Sequence, residues 1–391
     1  MEEKITIGLF IDTYFPMIDG VINVVDNYAK ELSKKANVIV FAPQVKGKKY
    51  DDSKLGYKVI RCKSMKLSFL DYSWPIPQFD SKFKKELNNC KLDIVHIHSP
   101  FMVGKMGIKY AKKHNIPVIG TMHSQFKKDI KKVVKIDFIS KIINKTLIKT
   151  FNKCDECWVV NKEVGRIFFE EYGYKKMPRI VNNATDMKLF EDKEKAIEYV
   201  DALYDIKEDE KVFLFVGRLN SLKNIFFIVD SLKILKEKAP EIKFKMLFVG
   251  KGQDEAELIK KIVRNDMQDE IKICGKIVNK DILTKYYRRA DLFLFPSLYD
   301  SSSIVQIEAA SQYTPTVFLK QAATASDIKD NVNGFLSENS PEKYADKIIE
   351  IINNKSLYKK VSENAYKDIY RNWDTTAQEV FDLYINKIKK N

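Results

Sequence analysis

The chain has 391 residues, enough for two to three domains with separate cores; its 45% hydrophobic and 31% charged residues make a globular balance with no low-complexity tract. Its 68 lysines and arginines outnumber 53 acids, and the net charge of +15 suits a partner of negative charge: nucleic acid, an anionic membrane or a phosphorylated ligand. No window nears the roughly 18 apolar residues of a spanning helix, and the opening MEEKITIGLFIDTYFP is acidic and then strand-like rather than a secretion signal, so the expectation is a cytoplasmic protein.

Short apolar runs bounded by polar or turn residues come first: ITIGLFI, VIVFA, LDIVHIH, IPVIGT and CWVV. Amphipathic stretches, such as Val21–Lys35 and Lys105–His114, lie between them. After Asp186 the pattern restarts with VFLFVG, FKMLFVG, IKICG, DLFLF and TPTVFL. Strand and helix alternating in this way predict parallel, doubly wound sheets, and two such series predict two Rossmann-like domains. The boundary is expected within Asp186–Glu210. The division is 1–187 for the first domain and 188–372 for the second, with a carboxy-terminal helix from about 373 packing back on the first. Neither series opens with GxGxxG, which argues against a dinucleotide oxidoreductase.

Ligands of doubly wound sheets bind beyond the carboxyl ends of the strands, so chemistry is sought there. In FIDTYFPMIDGV, Gly20 either lets backbone approach a ligand or simply opens a helix. His123, in IGTMHSQF, either orients a ligand hydroxyl or is structural. Cys154 and Cys157 form a CxxC that enters a strand, a poor setting for a redox or zinc site. In VGRLNSLKN, Arg218 and Lys223 stand five apart at a strand end: two cations able to reach one diphosphate, or two solvated surface groups. In LYDSSSIVQIEAA, Ser303 and Gln306 have capping-box spacing, so a helix starts near Ile304 with its free N–H groups available to an anion. Glu308, just over one turn in among apolar neighbours, needs a partner: a ligand's hydroxyls or a buried ion pair.

Taken together these segments resemble the family-4 retaining glycosyltransferases of the GT-B fold. FPMIDGV resembles the family's amino-terminal loop, with Asp19-Gly20 where the family usually has two glycines. DIVHIHSPF, TMHSQF, NNATD, VGRLNSLKN and VGKGQDEAEL resemble its successive strand-end segments, and Asp300 and Glu308 its paired acids with seven residues between them. The resemblance implies two Rossmann-like domains facing across a cleft, with a nucleotide-sugar donor in the second. It implies that Arg218 and Lys223 hold the diphosphate and Glu308 the ribose hydroxyls, while the backbone of Lys276, Ile277 and Val278 meets the base. Asp300 and the turn with Ser302 and Ser303 then meet the sugar, Gly20 supplies a backbone contact and His123 reaches a sugar hydroxyl. No cofactor and no metal are expected, because fixed cations and a helix end can stabilise the leaving diphosphate. Asp300 followed by three serines departs from the family's Glu and glycine-bearing turn, so the sugar pocket differs there.

For the acceptor, Lys127–Lys153 holds nine lysines against two aspartates, interleaved with apolar residues. It reads either as a core-packed helix with a solvated face or as a surface for anionic lipid. SWPIPQF, Ser73–Phe79, is apolar and stiffened by two prolines. Both features look like those of the bacterial diacylglycerol glucosyltransferases. They imply transfer of a hexose, glucose from UDP-glucose, to a membrane lipid or lipid-linked envelope glycan by a protein peripheral on the inner face of the plasma membrane. The alternatives are a soluble or protein acceptor, or a sugar-nucleotide epimerase on the same fold. Nucleic acid is set aside as a partner because no aromatic-basic stacking platform is present.

Overall fold

The computed structural model describes residues 4–17, 19–45, 47, 50–66, 73–123 and 137–391, with side chains of the last stretch from 142 onward. The chain divides into two compact units, Met1–Asn183 with Trp373–Asn391, and Ala184–Asn372.

The first unit contains β1 (Thr6–Phe10), β2 (Asn37–Pro43), β3 (Lys58–Cys62), β4 (Ser64–Lys66), β5 (Ser73–Pro75), β6 (Ile94–Ile97), β7 (Val118–Met122), β8 (Glu156–Val159) and β9 (Arg179–Ile180). Seven of these make a parallel sheet in the order β3-β2-β1-β6-β7-β8-β9, and β4 pairs with β5 as a separate antiparallel hairpin. The central strands are buried along their length because helices cover both faces, which explains their near-continuous apolar runs. Helices Gly20–Ser33 and Met102–His114 follow β1 and β6. The helix Trp373–Lys389 belongs to this unit. Its Trp373 packs edge-on to Tyr28, its Tyr384 ring stacks on Trp158 at 5.7 Å, and its Tyr384 hydroxyl bonds buried His96.

The second unit contains β10 (Lys211–Val216), β11 (Phe244–Val249), β12 (Ile271–Gly275), β13 (Leu292–Phe295), β14 (Thr316–Leu319) and β15 (Phe335–Ser337), a parallel sheet ordered β12-β11-β10-β13-β14-β15. Each of the ten apolar runs read from the sequence is a strand here, while β3, β9, β15 and the β4–β5 hairpin were not read. Three strand-end loops are knitted together: Gly217 N–H donates to Val249 O, Gly250 N–H to Gly275 O and Leu219 N–H to Lys251 O. Gly250 sits at φ +146°, and a Cβ there would stand 1.8 Å from Gly217 O, so only glycine permits the approach.

The predicted basic helix is described as Asp137–Phe151, its Leu147 and Ile148 buried and its Ile142 half exposed; residues 124–136 lie outside the described residues. Among the described residues no helix is long and apolar enough to cross a membrane.

Candidate active site

In each sheet the strand order reverses beside the first strand of the unit: between β1 and β6 in one, between β10 and β13 in the other. Such switch points leave a crevice at the carboxyl ends of the two strands, where loops diverge to opposite faces. Gly20, Arg218, Lys223 and Asp300 follow strands that flank these switch points, whereas His123 follows β7, Lys276, Ile277 and Val278 follow β12, and Glu308 lies inside the helix after β13.

In the carboxy-terminal unit, the turn after β10 is shaped by Asn220, whose side chain accepts from Lys223 N–H at 3.3 Å, and by left-handed Asn224 (φ 59°), which opens helix Ile225–Lys238. Asn224 Nδ2 donates to Pro296 O at 3.2 Å, tying this turn to the one after β13. That tie brings Lys223 and Asp300, 77 residues apart, into an ion pair. Ser297 Oγ donates to the other oxygen of Asp300 at 2.6 Å, and the Lys223 ammonium lies 5.9 Å over the Phe295 ring. The two groups therefore hold each other, where the sequence reading gave each a separate part of the ligand. The Arg218 side chain is exposed, with no hydrogen bond or ion pair to another described residue.

Helix Ile304–Ser311 starts where the sequence placed it, with Ser303 at the N-cap in extended backbone. The capping box is not formed, however. The Ser303 side chain makes no cap hydrogen bond, and Gln306 Oε1 is buried without a partner among the described residues, so neither half of the reciprocal pair is in place. Ser302 stands in the same turn, half buried. Among the described residues Glu308 has no salt-bridge partner. Its carboxylate accepts from the buried Tyr287 hydroxyl at 2.9 Å. Burial pushes its carboxyl up to about 7, with the Tyr287 bond pulling the other way, Asp186 adding repulsion and Lys280 some relief. Lys280 and Asp186 are themselves ion-paired. Lys276, Ile277 and Val278 follow β12, and Val278 is 76% exposed, an apolar side chain left open at a strand end.

In the amino-terminal unit, Asp12 follows β1 and is buried. Its carboxylate accepts from the Val103 and Gly104 N–H groups of helix Met102–His114 at 2.6 and 3.3 Å, and from Ser99 Oγ at 2.7 Å. It thus caps from a neighbouring strand a helix whose own N-cap, Phe101, has no capping side chain. Gly104 allows this, since a Cβ there would stand 1.9 Å from Ser99 O. Gly20 is the first residue of its helix, capped by the Asp19 side chain on Val21 N–H at 2.8 Å, and a Cβ at Gly20 would meet nothing within 4 Å. No packing among the described residues calls for a glycine at 20.

His123 follows β7 and lines a cavity of about 280 Å³ together with Asp12, Asp19, His98, Trp74, Phe101 and Met102. His123 Nε2 and His98 Nδ1 are 3.0 Å apart, and the two rings are stacked. His96 is bonded at both nitrogens, to Tyr384 OH at 2.5 Å and Thr121 Oγ1 at 2.6 Å. Burial drives all three imidazoles down, His123 to about 3, so each is neutral near pH 7. Sequence reading missed Asp12, His98, Ser297 and Tyr287. The first three stand within two residues of a strand end, which was a usable signal; Tyr287 lies inside a helix and gave none.

Residues 18–189 match the family described as Glycosyltransferase Family 4, and residues 200–368 that described as Glycosyl transferases group 1. Two relatives named alpha-monoglucosyldiacylglycerol synthase are similar to the chain. The one from Acholeplasma laidlawii is 26% identical over 98% of both chains. The one from Streptococcus pneumoniae is 27% identical over 80% of this chain and 70% of the relative. Among solved structures, Anabaena HepE in complex with UDP matches with a TM-score of 0.77 at 15% identity, over 98% of this chain and 100% of the other.

Proposed function

Because this chain belongs to the glycosyltransferases, with a family 4 amino-terminal half and a group 1 carboxy-terminal half on a GT-B fold, we propose that it moves glucose from UDP-glucose to a membrane lipid such as diacylglycerol, with retention of configuration. The carrying observation is the cavity at the β1–β6 switch point. Trp74, Pro75, Phe101 and Met102 give it an apolar wall, and Asp12 and the His98–His123 pair a polar one, which suits a hydroxyl borne on an apolar acceptor. The two synthases similar to this chain support the same acceptor class.

The carboxy-terminal unit is the donor holder in this reading. Glu308 takes the ribose hydroxyls, the segment Lys276, Ile277 and Val278 meets the base, and Arg218 and Lys223 take the diphosphate. Asp300 and the turn through Ser302 and Ser303 meet the sugar; Gly20 and His123 offer the amino-terminal unit's contacts. As the bond from the anomeric carbon to the phosphate oxygen breaks, negative charge grows on the diphosphate, and the two cations stabilise it without a metal. The acceptor oxygen bonds the same face of the sugar, and its proton passes to the departing phosphate. No side chain serves as a nucleophile. The protein works as a peripheral protein on an anionic membrane face, its lysine-rich surface supplying the attraction.

The test is incubation with a panel of labelled nucleotide sugars, with and without vesicles of anionic lipid containing diacylglycerol. Label from UDP-glucose is expected in the lipid fraction only when vesicles are present, falling as salt rises. Label appearing only in soluble or protein acceptors would overturn the acceptor assignment.

A further inference from the structure

His98 has so far been only a share of the cavity's polar wall, yet it is almost wholly buried there. It is 3% exposed, it lines the cavity, and its Nδ1 lies 3.0 Å from His123 Nε2. Its other nitrogen, Nε2, is buried with no hydrogen-bond partner among the described residues. His96, whose ring lies tilted against it with centroids 4.0 Å apart, cannot relieve this, because both His96 nitrogens are already engaged by Tyr384 and Thr121.

Two neutral imidazoles sharing one hydrogen bond have two arrangements. In one, His123 Nε2–H donates to His98 Nδ1. His98 must then carry its proton on Nε2, which strands a buried N–H with no acceptor. In the other, His98 Nδ1–H donates to His123 Nε2. His98 Nε2 is then a bare lone pair, and His123 carries its proton on Nδ1. An orphaned buried N–H is the rarer defect in proteins, so the second arrangement is favoured. The nitrogen that holds the proton on one ring is set by the bond that the other nitrogen makes.

We infer that His98 is a positioning residue that fixes His123 as the Nδ1–H tautomer, so that His123 offers its ligand a hydrogen-bond donor and never a proton acceptor. His123 Nδ1 makes no hydrogen bond to another described residue and is not among the buried unpartnered atoms, so it is open to a ligand oxygen. This oxygen is a sugar hydroxyl used as an acceptor, and His123 is thereby excluded as the base that activates the attacking hydroxyl. The inference deepens the reading of His123 given above, but the tautomer is a property of the protein alone and is measured without any ligand.

The experiment is two-bond proton–nitrogen NMR on the intact chain labelled with 15N-histidine, from pH 5 to 8, with His98→Leu and His98→Asn variants. The expected spectrum has His123 protonated at Nδ1 and bare at Nε2, unchanged across that range. His98→Leu removes the donor and shifts the His123 signals toward the Nε2–H form. His98→Asn keeps an N–H donor near the Nδ1 position and preserves the wild-type pattern. Transfer then falls about tenfold in His98→Leu and recovers in His98→Asn, with UDP affinity unchanged in both. A wild-type His123 protonated at Nε2 overturns the inference directly, even if both variants fail to fold. A correct tautomer with no effect of either variant on transfer would instead remove His123 from the ligand contacts, leaving the positioning result intact.

Discussion

At the level of single residues, two carboxylates decide how a donor would be held. In the free protein Asp300 occupies Lys223, the cation assigned to the diphosphate. A donor must therefore take Lys223 from Asp300, which frees Asp300 for the sugar. Removing the negative charge while keeping the shape, Asp300→Asn, relieves that competition. UDP, which lacks the transferred hexose and so loses no contact to the carboxylate, is expected to bind up to about fivefold tighter, the equivalent of roughly 1 kcal/mol for a partly exposed pair. Transfer from the full donor should fall. Calorimetry with UDP that found weaker binding would contradict the competition. Glu308 carries a second prediction. Burial raises its carboxyl to about 7, so near neutral pH it is divided between acid and carboxylate. Two ribose hydroxyls are held best by the carboxylate, which only accepts. Below pH 7 binding must expel a proton, so UDP affinity should weaken as pH falls, by at most about tenfold per unit. Glu308→Gln should flatten that slope between pH 6 and 7.5. A wild-type affinity independent of pH in that window would remove Glu308 from the ribose.

At the scale of elements, the question is what holds the strand-end loops in place. The helix Trp373–Lys389 packs within the amino-terminal unit, and its Tyr384 hydroxyl satisfies His96 beside the cavity. Tyr384→Phe leaves a buried imidazole nitrogen unpaired, a loss of about 1–3 kcal/mol. Thermal unfolding should shift down by roughly 2–4 °C per kcal/mol, with UDP binding in the carboxy-terminal unit retained; an unchanged melting temperature would show the bond to be immaterial. The same contacts explain what could be read in advance. Runs such as VFLFVG and DLFLF announce buried strands because helices cover both faces of a parallel sheet, so every position is apolar. VGRLNSLKN was legible because it is a strand end followed by its own turn, and His123 because it stands directly after β7. Partnerships between distant segments were not. Lys223 meets Asp300 across 77 residues, Tyr287 meets Glu308 across 21, and Tyr384 meets His96 across 288. The misread capping box at Ser303 and Gln306 has the same origin. Spacing alone allows the pair, but which bonds the turn after β13 makes is decided by the neighbouring β10 turn, through Asn224 on Pro296 O and Lys223 on Asp300.

At the scale of the whole molecule, two units of similar architecture each gather candidate site residues beyond the carboxyl ends of their strands. In one the residues are histidines and an apolar wall; in the other they are cations and acids. That chemical division is the basis for giving the nucleotide to the carboxy-terminal unit and the acceptor to the amino-terminal one. The net charge of +15 adds a long-range attraction to anionic surfaces that no single residue accounts for. The assignment of the donor is the claim on which the rest depends, and UDP calorimetry on the intact chain and its Lys223→Ala variant tests it most directly. Wild type is expected to bind UDP, and the variant to bind at least about tenfold more weakly through the loss of one charge-assisted contact to the diphosphate. Equal affinity for UDP in the two proteins would contradict it.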